Sequence, residues 1–168
     1  MLKVGDAAPP IEAVGSDGKR FALYEQAGLC TVIYFFPKAF TPGCTAETKE
    51  FRKHYVELEL AGATLVGVST DDRDTQCRFA TSLAAPFPML GDHDRAICRA
   101  YDVLWPIIGV AHRVTYVVAP TGSDGTAHPR WTVEAVFRHE LDIKAHRDEV
   151  LRFVNEKFQG SRPRPRSG

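Results

Sequence analysis

Apolar positions along the chain follow two different rhythms. The run LCTVIYFF, Leu29 to Phe36, is β-branched and aromatic almost throughout. A strand covered on both faces has this character. Pro37 ends it, because proline gives no N–H to a ladder. From Pro42 to about Leu60 the period changes. Phe51, Tyr55 and Leu58 return at i, i+4 and i+7 with charged residues between them, which predicts an amphipathic helix. Gly62 closes that helix, and ATLVGVS, Ala63 to Ser69, predicts a second buried strand. Thr70 to Asp72 is a helix-start signal, and a helix is expected from Asp74 to about Ala84. Pro86 and Pro88 break it, with FPML as a short strand. A third helix is expected over Asp92 to Tyr101, then a strand over Val114 to Pro120. Thr121 to Arg130 reads as a polar turn, WTVEAVFR as a strand, and His146 to Phe158 as a closing helix with Val150, Leu151, Val154 and Phe158 as its stripe. Ahead of all this, Pro9-Pro10 and Ser16-Asp17-Gly18 punctuate the apolar stretches Ile11 to Val14 and Phe21 to Leu23, which predicts a small β-hairpin.

Strands alternating with helices give an α/β class with a central mixed sheet flanked by helices and an N-terminal β-hairpin. Their order and length are those of a thioredoxin-like fold. One domain is expected over residues 1–158. The remaining 159–168, QGSRPRPRSG ending the chain, read as a disordered Arg/Pro tail exposed to solvent.

Composition narrows the function classes. Lys plus Arg is 21 and Asp plus Glu is 21. This balance gives no electrostatic reason to expect nucleic acid or an anionic membrane as partner. No apolar run approaches a membrane span, and the start MLKVGDAAPP has no apolar signal region. A cytoplasmic location is expected, with the 4 cysteines as reduced thiols. Cys30, Cys44, Cys77 and Cys98 form no CxxC and no tight Cys/His cluster, so neither a zinc site nor another metal or cofactor is expected.

Cys44 is the residue that carries chemistry. Thr41 is a preferred N-cap, and Pro42 suits the first helical position, where its missing N–H is no loss. Gly43 and Cys44 then fall in the first turn, where free N–H groups and the positive end of the helix dipole meet. Such a place favours thiolate; a cysteine pKa of ~8.5 falls to roughly 3.5–7.5 at helix N-termini or beside a cation. The thiolate is the nucleophile. A capping box would put Glu or Gln at position 44, but the glutamate, Glu47, comes a turn later. The plain alternative is an inert small apolar side chain.

Pro37-x-x-x-Thr41-x-x-Cys44, within YFFPKAFTPGCTAETKEFR, resembles the signature of the peroxiredoxins, in their bacterioferritin comigratory protein (BCP/PrxQ) branch. The resemblance runs on through LVGVSTD, FPMLGD, AYDV and Arg113 in HRVTYVV, from Val4 to about Phe158. It implies a thiol peroxidase acting on hydrogen peroxide and organic hydroperoxides through a sulfenic acid on Cys44. It also implies roles for the neighbours. Thr41 would hydrogen-bond the sulfur or the peroxide, and Pro37 would shield the pocket from water. Arg113 would set a guanidinium beside the thiolate. Glu47 would orient Arg113 through a carboxylate fork. The N–H groups of Gly43 and Cys44 would cradle the peroxide. Each has a plainer reading: Thr41 as a cap only, Pro37 as a strand stop, Glu47 as a solvated carboxylate, Arg113 as a surface residue.

A sulfenic acid needs a second thiol. A resolving cysteine five residues on is excluded, because that position is Lys49. Another arrangement in this branch uses the helix after the VST strand, where Cys77 lies. Cys77 also fits a small-residue stripe with Ala80 and Ala84. Cys98 and Cys30 read as core. Cys77, Cys98 and an external thiol therefore all stay open, with thioredoxin as the reductant that the resemblance implies and glutaredoxin or glutathione as others. The apolar segment Leu104 to His112 fits a wall for organic hydroperoxides, a dimer patch or ordinary packing, so a monomer or a weak homodimer is expected. Three other classes compete. A disulfide oxidoreductase would use CxxC, but position 47 is Glu. A cysteine hydrolase would need a histidine base, for which His112 is the candidate nearest another site residue. A non-catalytic binding module would leave Thr41 and Arg113 unexplained.

Overall fold

In the computed structural model, which describes residues 1–122, 129–140 and 142–158, the strand Cys30–Phe35 (β3) has every residue buried. Its alternation divides the protein into two layers. Val32 and Tyr34 face one apolar cluster, which contains Phe51, Leu58, Phe79, Val150 and Val154. Ile33 and Phe35 face the other, which contains Ile11, Phe21, Cys98, Tyr101 and Val103. Each large side chain so covered contributes ~1.5–3 kcal/mol relative to exposure.

The first layer holds helices Pro42–Lys53 (α1), Tyr55–Leu60 (α2), Arg73–Ser82 (α3) and Ile143–Phe158 (α5). The second holds the hairpin of Glu12–Val14 (β1) and Arg20–Ala22 (β2), together with the short helix Ala96–Ala100 (α4). Between them lies a five-stranded sheet in the order β5-β4-β3-β6-β7, with β4 Ala63–Ser69, β5 Met89–Gly91, β6 Val114–Pro120 and β7 Trp131–Arg138. β3, β4 and β5 are parallel, while β6 and β7 run antiparallel. The mixed sheet and the hairpin agree with the sequence expectation. The Thr121 to Arg130 turn lies partly, and the Arg/Pro tail wholly, outside the described residues.

Three helices differ from their expected extents. The single helix expected from Pro42 to Leu60 is two helices, broken at His54, whose φ is −104° and ψ 11°. The His54 ring lies 3.3 Å from both Glu57 and Arg147, and the bend lets Phe51 and Leu58 both bury fully. The helix expected from Asp92 begins only at Ala96. Arg95 has φ 63°, a left-handed conformation that cannot continue a helix, and Asp92 caps the N–H groups of Ile97 and Cys98. The closing helix starts three residues early, at Ile143, because the Asp142 carboxylate accepts the Ala145 N–H at 2.9 Å.

Tyr34 fixes α1 on the sheet. Its ring lies 4.6 Å from that of Phe51, and its hydroxyl is 3.2 Å from Thr48 Oγ1. The ring passes over Gly67, where a Cβ would come within 2.6 Å of Tyr34. The start of α1 is thereby held above the C-terminal end of β3.

Candidate active site

The antiparallel register decides what meets Cys44. Phe35 pairs with Val114, so Arg113 stands one step beyond the end of that pairing, beside the loop that leads into α1. From there the guanidinium reaches three groups. Nη2 donates to Cys44 Sγ at 3.5 Å, Nη1 donates to Glu47 Oε2, and Nε donates to the Glu140 carbonyl at 3.3 Å. Each of the three guanidinium nitrogens has a partner, which fixes its plane. Cys44 and Glu47 are each 1% exposed and Arg113 6%, so little water screens the group.

Burial pushes the Glu47 carboxyl up, to about 7, against the pull of Arg113. Burial also works against charge on Arg113, but Glu47 and Cys44 more than offset it and hold the guanidinium above its ordinary value. The arrangement holds a cation against a buried sulfur.

Gly43 has a part that the sequence reading did not give it. A Cβ there would stand 3.1 Å from Arg113 Nη2, tighter than ordinary contact. The missing side chain admits the guanidinium to the sulfur. Pro42 occupies the first helical position of α1 as expected, and the Thr45 N–H donates to the Thr41 carbonyl at 2.9 Å. The Thr41 hydroxyl departs from its expected role. It makes no cap bond and none to the sulfur; it donates instead to the Lys38 carbonyl at 2.7 Å, closing the preceding turn. Pro37 stands half-buried just after β3.

The other cysteines separate by environment. Cys30 and Cys98 are both fully buried, and burial pushes their thiols up, that of Cys30 to about 12 and that of Cys98 further. Cys77 is half-buried on α3, with its sulfur 3.9 Å from the Ser16 carbonyl. All four cysteines are free thiols. His112 turns its Nδ1 to Glu140 Oε1 at 3.1 Å and does not hydrogen-bond Cys44. Among the described residues no histidine hydrogen-bonds Cys44; its sulfur accepts from Arg113 instead.

The AhpC/TSA family model matches residues 4–123. The chain is 30% identical to peroxiredoxin Bcp of Escherichia coli strain K12, over 92% of this chain and 97% of that protein. It is 32% identical to the chloroplastic peroxiredoxin Q of Gentiana triflora, over 89% of this chain and 65% of that protein. Among solved structures, peroxidoxin BcpB from Mycobacterium tuberculosis superposes with a TM-score of 0.81 at 27% identity, covering 94% of this chain and 99% of that one. The chain belongs to the AhpC/TSA family and is a peroxiredoxin of the Bcp and Q kind.

Proposed function

We propose that Cys44 is the peroxidatic thiol of a peroxidase acting on hydrogen peroxide and organic hydroperoxides. The observation that carries this is the Arg113 guanidinium, held 3.5 Å from the Cys44 sulfur by Glu47. The thiolate attacks the terminal, hydrogen-bearing oxygen of ROOH. The S–O bond forms, the O–O bond breaks, and RO⁻ takes a proton and leaves as ROH. Sulfur is oxidised to sulfenic acid and the peroxide is reduced. Arg113 has its charge where the thiolate and the leaving oxygen need it. Gly43 and Cys44 supply N–H groups in the first turn of α1, and Pro37 limits water at the mouth. Thr41 acts through the backbone turn that it closes.

In a second step a thiol displaces water from the sulfenic acid and forms a disulfide. Cys77 suits this better than Cys30 or Cys98, whose thiols burial keeps protonated. An external thiol is the other route. A dithiol such as thioredoxin then reduces the disulfide. A reducing compartment such as the cytoplasm suits four free thiols. Ile107 and Ile108, 98% and 67% exposed, fit a monomer that pairs weakly.

The test is peroxide loss in the presence of dithiothreitol. The native protein should consume peroxide catalytically, and Cys44→Ser should not. Equal consumption by both would overturn the assignment.

A further inference from the structure

Behind Glu47 lies a group that the reaction as described does not use. His146, on α5, is 1% exposed. Its Nε2 lies 2.5 Å from Thr115 Oγ1 and 3.9 Å from Glu47 Oε1. Among the described residues two buried atoms here have no hydrogen-bond partner, Glu47 Oε1 and His146 Nδ1. Thr115, on β6, is two residues after Arg113, which immediately precedes that strand.

The tautomer follows from these contacts. A proton on Nδ1 would be a buried donor without an acceptor, and the Nε2 lone pair would then face a carboxylate. A proton on Nε2 leaves only a lone pair unpaired, donates to Thr115 Oγ1 and keeps the positive end of the ring dipole on the side of Glu47 Oε1, which lies beyond hydrogen-bond reach at 3.9 Å. Burial, with His139 and Arg113 nearby, holds His146 down at about 4, so near neutrality it is an oriented dipole and not a second cation competing with Arg113. The groups facing Glu47 are Arg113, Cys44, His146, Tyr34 and Glu140. Those facing His146 are Thr115, Glu47, His139, Arg113 and Glu149.

We propose that His146 is a positioning residue for the peroxidase reaction: its Nε2–H dipole, held by Thr115 beside the second oxygen of Glu47, favours the ionised carboxylate and so the aim of Arg113 at Cys44. The proposal rests on the reading of Cys44, Arg113 and Glu47 as the reacting centre. His146 touches no reacting atom, and its effect passes through the carboxylate.

The test is the second-order rate constant for peroxide loss against pH, each variant being first checked for its fold by circular dichroism. His146→Phe should slow the reaction about tenfold at neutral pH and move its acid limb about one unit upward, because Glu47 loses a dipole that favours its ionised form. His146→Gln, which keeps a side-chain N–H, should recover most of the rate. In a Glu47→Gln background, His146→Phe should change the rate by no more than about twofold. Should His146→Phe fail to fold, Thr115→Val removes the brace and should give the same upward shift, smaller in size. A folded His146→Phe (or, in its place, Thr115→Val) with an unmoved pH profile would overturn the proposal. So would an equal loss with and without Glu47. If Cys44→Ser still consumes peroxide, the reading of the centre fails instead, and the two failures are told apart.

Discussion

At the scale of single residues, the site depends on how one guanidinium is shared. Arg113 serves Glu47 with one nitrogen and Cys44 with another. Lysine carries the charge but cannot serve both in one plane. Arg113→Lys should lower the peroxidase rate about a hundredfold, a loss of the size seen when one transition-state donor is removed. Steady-state peroxide consumption with the fold verified checks it. Gly43→Ala tests the space beside the guanidinium. With a Cβ 3.1 Å from Nη2, Arg113 must shift by a few tenths of an ångström, and activity should fall while the melting temperature changes little. His146 gives a test in stability. Burial lowers it from 6.5 to about 4, so the folded protein binds fewer protons than the unfolded chain between those values. The contribution is present above 6.5 and is lost as pH falls toward 4. The stability gap between the native protein and His146→Gln should widen by about 3 kcal/mol as pH rises across that window, measured by denaturant unfolding at each pH. Cys44, Glu47 and Arg113 were legible as candidates because their spacing carries a pattern, and the structure brings them together. His146 was not, because the contact that matters is with Glu47, far away in the chain. Its helical position only said that it belonged to α5. The bond of the Thr41 hydroxyl to Lys38 has no signal in the sequence either: N-cap preference speaks for a bond into the helix, and this local bond competes with it.

At the scale of elements, the loop between β3 and α1 is tied to its neighbours. The Ala39 N–H donates to Asp71 at 2.7 Å, and Asp71 also accepts the Ser69 hydroxyl. Phe40, at φ 64°, sets its ring edge-on to Phe79 of α3 at 5.2 Å. These ties hold the first turn of α1 closed over Cys44. A disulfide needs Cα atoms within ~7 Å, and the Cys77 sulfur faces the Ser16 carbonyl, so resolution by Cys77 is expected to open that turn. Hydrogen exchange over residues 42–46 should be faster in the oxidised protein than in the reduced one; equal protection in a protein shown to hold the Cys44–Cys77 bridge would contradict this. Strand order and most helices could be read from apolar period. The break at His54 could not, because the periodic positions Phe51, Tyr55 and Leu58 fit one helix as well as two. The late start of α4 was hidden by Arg95, a residue with no sequence signal for a left-handed conformation.

At the scale of the molecule, the sheet separates two cores and presents one site at the C-terminal end of β3. Packing across it is close. Gly67→Ala would drive a methyl into the Tyr34 ring and loosen both the sheet and α1, with an expected loss of about 1–3 kcal/mol in denaturant unfolding. The α/β class, the mixed sheet and the hairpin were legible because β3 and β4 are apolar on both faces while β7 alternates. Cys30, Cys44 and Cys98 are all buried, so burial does not set Cys44 apart; the Arg113 guanidinium at its sulfur does. The most direct measurement mixes the Cys77→Ser protein with one equivalent of hydrogen peroxide, traps sulfenic acid with dimedone, and maps the peptides by mass. The account predicts the adduct on Cys44, with Cys30 and Cys98 still reduced. An adduct on Cys30 or Cys98, with Cys44 left as a thiol, would contradict it.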